Sequence, residues 1–319
     1  MSRVTVVIPN YNGKLFLQDC LESLSKQTFK DYDIVLVDNG SSDGSIAFLK
    51  EKYPYVKRIE LRENTGFANA VNLGIQSTGA EYVFLLNNDT MCDEHALEAL
   101  VKVMDKKPAV FSAQAKMLQV KPPYLVDDAG DYYCALGWAF SPSKDKENHK
   151  YYKRTNVTSA CAGAAIYRRE VFDEIGFFDS EHFCYLEDVD VGYRARLFGY
   201  SNIVEPSAIV YHVGSGSSGS RHNAFKVELT AANNLYFIFK NFTVLQIIIN
   251  FPLILLGVII KHVFYVKKGL GKAHVSGLCK GFSKMINNTD KRVSFGGKQI
   301  KNSIILQIEL WINCFRRLM

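Results

Sequence analysis

Short β-branched runs alternate with amphipathic segments through the first third of the chain. Val4–Ile8 is an unbroken apolar run closed by Pro9, which predicts a strand buried on both faces. Leu15–Gln27 places Leu17, Leu21 and Leu24 on one side, the spacing of a helix. The same reading gives strands at Asp33–Val37, Val56–Leu61 and Tyr82–Leu86, and helices at Ser45–Tyr53 and Phe67–Ser77. Ser41, Ser42 and Asp43 read as caps for the helix that follows them. Strand-helix alternation of this kind predicts an α/β fold, a mostly parallel sheet flanked by helices. Ligands bind such sheets beyond the carboxyl ends of the strands, where Asn10, Asp38, Asn64 and Asp89 fall.

The pattern then weakens. Residues 110–160 hold Pro122-Pro123, a charged stretch and scattered aromatics, and predict irregular strands and loops. Regularity returns with a short helix at Arg169–Ile175, a helix at Glu187–Phe198 and a strand at Ala208–Tyr211. A Gly/Ser loop at Gly214–Ser220 reads as a lid over a nearby site. Val244–Ile260 is nearly continuous apolar sequence, close to the length of a membrane span but interrupted by Gln246, Asn250 and Pro252. Ser303–Phe315 predicts an amphipathic helix.

Charge divides along the same line. Residues from Lys240 onward carry 13 Lys+Arg against 2 Asp+Glu, a net of +11, so residues 1–239 are left with 25 against 30, a net of −5. An acidic body excludes a general nucleic-acid binder, and a basic apolar tail fits an anionic membrane surface. A partner-contact or core helix remains the alternative for the apolar run. The seven cysteines include no C-x-x-C pair, which fits a reducing compartment without disulfides or zinc. The N-terminus runs straight into a strand, with no secretory pattern.

Candidate chemistry lies at the strand ends. Glu187, Asp188 and Asp190 crowd three carboxylates among apolar neighbours, which raises the pKa of one and suits it to accept a proton. A solvated acidic turn at a helix start is the plain alternative. Asp89, in Asn87-Asn88-Asp89-Thr90, can hold a divalent cation that also takes diphosphate oxygens, Mg²⁺ or Mn²⁺. His212, after a strand, can complete its shell. Asp38 can accept a hydrogen bond from a pyrimidine ring N–H, and Gly66 opens a helix whose N-terminus can face a nucleotide.

Val6-Val7-Ile8-Pro9-Asn10-Tyr11-Asn12-Gly13, Val37-Asp38-Asn39-Gly40-Ser41-Ser42-Asp43-Gly44-Ser45, Asn64-Thr65-Gly66-Phe67-Ala68-Asn69-Ala70-Val71-Asn72, Leu85-Leu86-Asn87-Asn88-Asp89-Thr90 and Glu187-Asp188-Val189-Asp190 occur in this order. The set resembles family 2 glycosyltransferases of the GT-A fold, across roughly residues 3–235, and looks most like bacterial dTDP-rhamnosyltransferases. The resemblance implies Asp188 as the general base and Glu187 as a group that orients the acceptor. It implies Asp89 as metal ligand, joined by His212, with the first acid of the usual D-x-D replaced by Asn87. Pro9, Asn10, Tyr11, Asp38, Asn64, Asn69 and Asn88 are the implied donor-binding residues.

The implied activity is inverting transfer of a sugar, L-rhamnose from dTDP-L-rhamnose, to a lipid-linked or growing cell-surface polysaccharide at the cytoplasmic membrane face. A UDP-hexose donor is the alternative within the family. Outside it stand a nucleotidyltransferase, which lacks its basic loop after the first strand, and a non-catalytic membrane scaffold. Residues 1–240 are the expected catalytic domain. Residues 241–319 are the expected helical region, membrane-associated or forming a homo-oligomer.

Overall fold

Val4, Val6 and Ile8 point to one side of the first strand and Val7 to the other, and both sides are covered by helices. Tyr82, Phe84 and Leu86 alternate in the same way with Val83 and Leu85. The computed structural model describes residues 2–214 and 223–318. Its strands are β1 (Val4–Asn10), β2 (Tyr32–Asp38), β3 (Lys57–Glu60), β4 (Tyr82–Leu86), β5 (Thr90–Cys92), β6 (Val110–Gln119), β7 (Val126–Asp128), β8 (Tyr132–Cys134), β9 (Trp138–Phe140), β10 (Thr155–Val157), β11 (Ala164–Arg168) and β12 (Ser201–His212). Its helices are α1 (Lys14–Ser25), α2 (Ser45–Lys52), α3 (Phe67–Gln76), α4 (Ala96–Lys106), α5 (Val171–Ile175), α6 (Glu187–Leu197), α7 (Ala224–Asn241), α8 (Val244–Lys267), α9 (Gly271–Asn287) and α10 (Gly297–Leu318).

The sheet runs β10-β12-β6-β11-β4-β1-β2-β3. Its first-half strands β3, β2, β1 and β4 are parallel, as the alternation predicts. The second half is mixed: β11 lies antiparallel between β4 and β6, while β6 and β12 pair in parallel. β6 is the chief departure from the expected irregular region. Its buried Ser112, Gln114 and Lys116 disguise a central strand, and each finds a partner: Asn202 at 2.8 Å, Asp128 at 2.6 Å and the Tyr151 carbonyl at 3.3 Å. Of the three residues read as caps for α2, Asp43 binds its first turn, and it also serves α1, while Ser41 bonds Asn10 and Asn12. The Asp43 carboxylate accepts the N–H of Ser45 at the start of α2 and of Lys14 at the start of α1. Of the loop expected at Gly214–Ser220, residues 215–220 lie outside the described residues.

The apolar run forms one helix, α8, with Pro252 inside it. It is not detached. Tyr133, Val189, Tyr193, Leu197, Phe237, Ile254, Leu306 and Leu310 form one core shared by β8, α6, α7, α8 and α10. Gly257 permits the contact at mid-helix, since a Cβ there would lie 2.0 Å from the Leu136 carbonyl oxygen. The expected boundary at Lys240 falls inside α7, in a buried charge network. Lys240 Nζ bonds Asp179 at 2.7 Å and Asp190 at 3.0 Å, Arg194 bonds Asp190 at 2.9 Å, and Asn241 donates to Asp190 at 2.7 Å. Burial opposes the charge on Asp190, but Arg194 and Lys240 hold its carboxyl well below the usual range.

Candidate active site

A cleft of about 770 Å³ opens at the carboxyl ends of β1 and β4. Pro9, Asn10 and Tyr11 reach it from the end of β1, Asn64 and Gly66 from the turn before α3, and Asn88 and Asp89 from the turn after β4. Glu187 and Asp188 enter from the start of α6, and His212 from the end of β12. Two of the expected site residues stand behind this lining. Asp38 is buried, accepting from Asn10 Nδ2 at 2.8 Å and from the Ser41 N–H at 3.0 Å. Asn10 in turn accepts from Asn88 Nδ2 at 2.7 Å, so a chain of three side chains fixes this wall. Asn69 donates to Thr65 Oγ1 at 2.9 Å, beside the Gly66 turn.

Gly66 has φ of 88°, and a Cβ there would lie 2.6 Å from Phe183. The turn that carries Phe183 is itself constrained. Phe183, Tyr185 and Leu186 have φ of 59°, 69° and 70°, a region L-residues avoid, just before Glu187 and Asp188. Asn233 on α7 holds that turn, its amide donating to the carbonyls of His182 at 2.7 Å, Cys184 at 2.9 Å and Tyr185 at 2.8 Å. Nothing in the local sequence marks Asn233 for this work.

Asp188 accepts from its neighbour Val189 N–H at 2.8 Å and from Ala162 N–H at 3.4 Å. Burial raises its carboxyl, these hydrogen bonds lower it, and the charge of Asp128 raises it again, to about 6. Glu187 is pushed well above the usual carboxylate range by burial and by Asp188, and its Oε2 has no hydrogen-bond partner among the described residues. Two cleft residues escaped the sequence reading: Asp131 and Cys161, which offer ligand atoms within 4.8 Å of one another and of Asp188. Asp131 is held well above the usual range by burial, Asp128 and Asp188. It lies in the irregular region, where no periodic signal points to it.

His212 Nε2 lies 3.3 Å from Asp89 Oδ1, and its Nδ1 lies 2.6 Å from Asp127 Oδ2. Burial would lower the imidazole pKa, but the bonds to Asp127 and Asp89 raise it to about 9. The protonated ring is thus favoured, with one nitrogen facing Asp89 and the other facing Asp127. The set offers hard oxygen and imidazole nitrogen together, donors that suit a divalent cation, and it has the outer carboxylate that commonly orients a ligating histidine. Asp127 is the other member the sequence did not reveal. Burial opposes its charge, but His212 and Lys144 bring its pKa to about 2.

Residues 5–176, more than half of the chain, match the sequence profile described as Glycosyl transferase family 2. The chain belongs to that family. It is 26% identical over 243 residues to an N-acetylglucosaminyl-diphospho-decaprenol L-rhamnosyltransferase of Mycobacterium tuberculosis, covering 67% of this chain and 77% of that protein. It is 33% identical over 110 residues to glycosyltransferase GlyG of Streptococcus pneumoniae, 33% of this chain and 36% of that one. Its fold resembles that of GalNAc-T7, crystallised with UDP, GalNAc and Mn²⁺, with a TM-score of 0.62 and 17% identity over 91% of this chain and 57% of that chain. It also resembles the mannosyltransferase PcManGT of Pyrobaculum calidifontis, in complex with GDP-Man and Mn²⁺, with a TM-score of 0.53 and 17% identity over 99% of this chain and 82% of that one. The fold is of the GT-A type, and the protein is a glycosyltransferase.

Proposed function

We propose that this glycosyltransferase moves L-rhamnose from dTDP-L-rhamnose, with inversion, onto a lipid-linked or growing cell-surface saccharide. The observation that carries the reading is the sharing of one cleft by Asp188 and the Asp89–His212 pair. Asp188, with its pKa near 6, takes the proton of an acceptor hydroxyl. The freed oxygen pair bonds to the anomeric carbon as the sugar–phosphate C–O bond breaks, and the diphosphate leaves with that bond's electrons. Attack from the side opposite the leaving group inverts the centre.

Asp89 and His212 would hold Mn²⁺ or Mg²⁺, and the imidazole ligand favours Mn²⁺. When bound there, the ion offsets the charge growing on the leaving diphosphate. Pro9, Asn10, Tyr11, Asn64 and Asn88 form the donor side, with Asp38 fixing Asn10 and Asn69 fixing Thr65 behind them. Glu187 orients the acceptor. The named substrate of the mycobacterial relative supports both rhamnose and a lipid diphosphate acceptor. The site residues lie within residues 1–240, braced by Asn241, Lys284 and Lys291 from beyond them, and 241–319 hold the enzyme at the cytoplasmic face of the cell membrane.

The test offers the full chain dTDP-L-rhamnose or UDP-hexoses, a diphospho-polyprenol-linked N-acetylglucosamine acceptor and Mn²⁺. Transfer from dTDP-L-rhamnose that stops on chelation is expected. Transfer from UDP-hexoses alone would overturn the donor, and undiminished transfer in EDTA would overturn the metal role of Asp89 and His212.

A further inference from the structure

Helix α8 has its polarity turned inward. Gln246, Asn250, Ile254 and Gly257 are buried against the protein, while Leu245, Ile248, Leu256 and Val263 are 67%, 62%, 47% and 49% exposed. α10 follows the same plan: Ser303, Leu306, Gln307, Leu310 and Asn313 face inward, and Ile300, Ile304, Ile308, Trp311 and Phe315 face out at helical spacing.

A polar seam joins the two helices. Gln246 Nε2 donates to the Ser303 carbonyl at 3.1 Å, Asn250 and Gln307 exchange bonds of 2.8 and 2.9 Å, and Trp311 Nε1 donates to Asn250 Oδ1 at 3.0 Å. Residue 246 meets 303 and residue 250 meets 307, so the helices run side by side in one direction. Their outer faces form one apolar ribbon far larger than the scattered apolar residues of an ordinary surface.

Three occupants can cover such a ribbon. Crossing a bilayer is disfavoured by the attachment of α8 along its length: to Ser303 at its start, to Leu136 and Trp138 at Gly257, and to His274 of α9 through His262 and Tyr265 near its end. α10 also carries Lys298, Lys301, Glu309, Arg316 and Arg317. A second copy would set the Lys298, Lys301, Arg316 and Arg317 of one α10 near those of another, and like charges repel. An anionic lipid surface matches both the charge and the apolar face. We propose that α8 and α10 together lie in the plane of an anionic bilayer surface, outer faces immersed in the headgroup–acyl boundary. The proposal rests on the reading above that the enzyme works at a membrane, and it specifies how the protein is seated there.

The test uses the full chain and vesicles of phosphatidylglycerol and phosphatidylcholine, with no turnover required. Depth is read by brominated-lipid quenching of Leu245→Trp, Leu256→Trp and Val263→Trp, which lie on one line along α8, each as the difference from the parent chain. Equal, shallow quenching at all three is expected. Deepest quenching at the central position would show a crossing helix and overturn the proposal.

Ile248→Glu with Ile304→Glu changes two exposed side chains and is expected to weaken vesicle binding about tenfold or more while dTDP binding is retained. Unchanged binding would overturn the proposal. So would a stable dimer that this variant dissociates, in a parent chain that ignores vesicles. Should the donor or acceptor assignment fail, these lipid readouts are unaffected, so the two failures are distinguishable.

Discussion

Asp127 Oδ2 lies 2.6 Å from His212 Nδ1, which leaves Nε2 of the same ring 3.3 Å from Asp89 Oδ1. The two ring nitrogens are distinct, and the bond on one sets what the other can do. Asp127→Asn keeps an acceptor for the ring but removes the charge behind it. The Mn²⁺ concentration giving half-maximal transfer is expected to rise about 10- to 100-fold, with the rate largely restored at saturating metal. A Mn²⁺ titration of initial rates checks this. An unchanged midpoint would separate Asp127 from the proposed metal site.

Asp188→Asn is expected to lower kcat by about 10²- to 10⁴-fold. In the parent enzyme, kcat/KM should rise with pH through about 6, because the proposed base would act only when deprotonated. The same raised pKa sets the sign of its effect on stability. The folded state holds the Asp188 proton more tightly than the unfolded state, so stability falls as pH climbs from about 4 through 6. The Asn variant should therefore be more stable than the parent at pH 8, by about 1–2 kcal/mol for a partly exposed group, with no difference near pH 4. Urea melts at both pH values, beside rate measurements, test the exchange of activity for stability.

Asn233→Leu keeps the branched heavy-atom skeleton but leaves the carbonyls of His182, Cys184 and Tyr185 without their donor. A loss of about 1–3 kcal/mol is expected. Released from Asn233, the strained turn should also relax and misplace Asp188. A fall in kcat of about tenfold or more with little change in donor affinity would express this, and it can be read by comparing transfer with nucleotide binding.

Lys240→Met leaves two buried carboxylates facing each other with one cation fewer. The expected loss is about 3–5 kcal/mol, measured by urea unfolding at pH 7. Asp190 is depressed in the folded state, so its contribution is present above the unfolded carboxylate pKa and disappears as pH falls through the folded value. The difference between parent and variant should accordingly shrink only below about pH 4.

The parallel half of the sheet was legible because local pattern and final environment agree. Val4–Ile8 and Tyr82–Leu86 are apolar on both faces and are buried on both. The motifs that carry Asn10, Asn64, Asp89 and Asp188 follow in a recognisable order, and all four residues line one cleft. β6 was illegible because its polar residues are satisfied only by partners distant in sequence, such as Asn202. Asp127 and Asp131 sit where no period operates; the pairing of β7 with β6 brings in Asp127, and a bridge to Ser159 brings in Asp131. Hydropathy likewise marked the α8 segment as apolar, but the direction in which Gln246 and Asn250 face depends on α10, more than fifty residues away.

The brace around Asp190 bears on how such an enzyme can be divided. Asp190 stands two residues from Asp188 and is gripped by Asn241, while Lys284 supports Asn233 and Lys291 supports Asp179. A cut after residue 240 removes Asn241, Lys284 and Lys291 at one stroke. The proposed donor side of the cleft is in principle portable between relatives, but α6, with the proposed base Asp188, has to travel with the tail that props it.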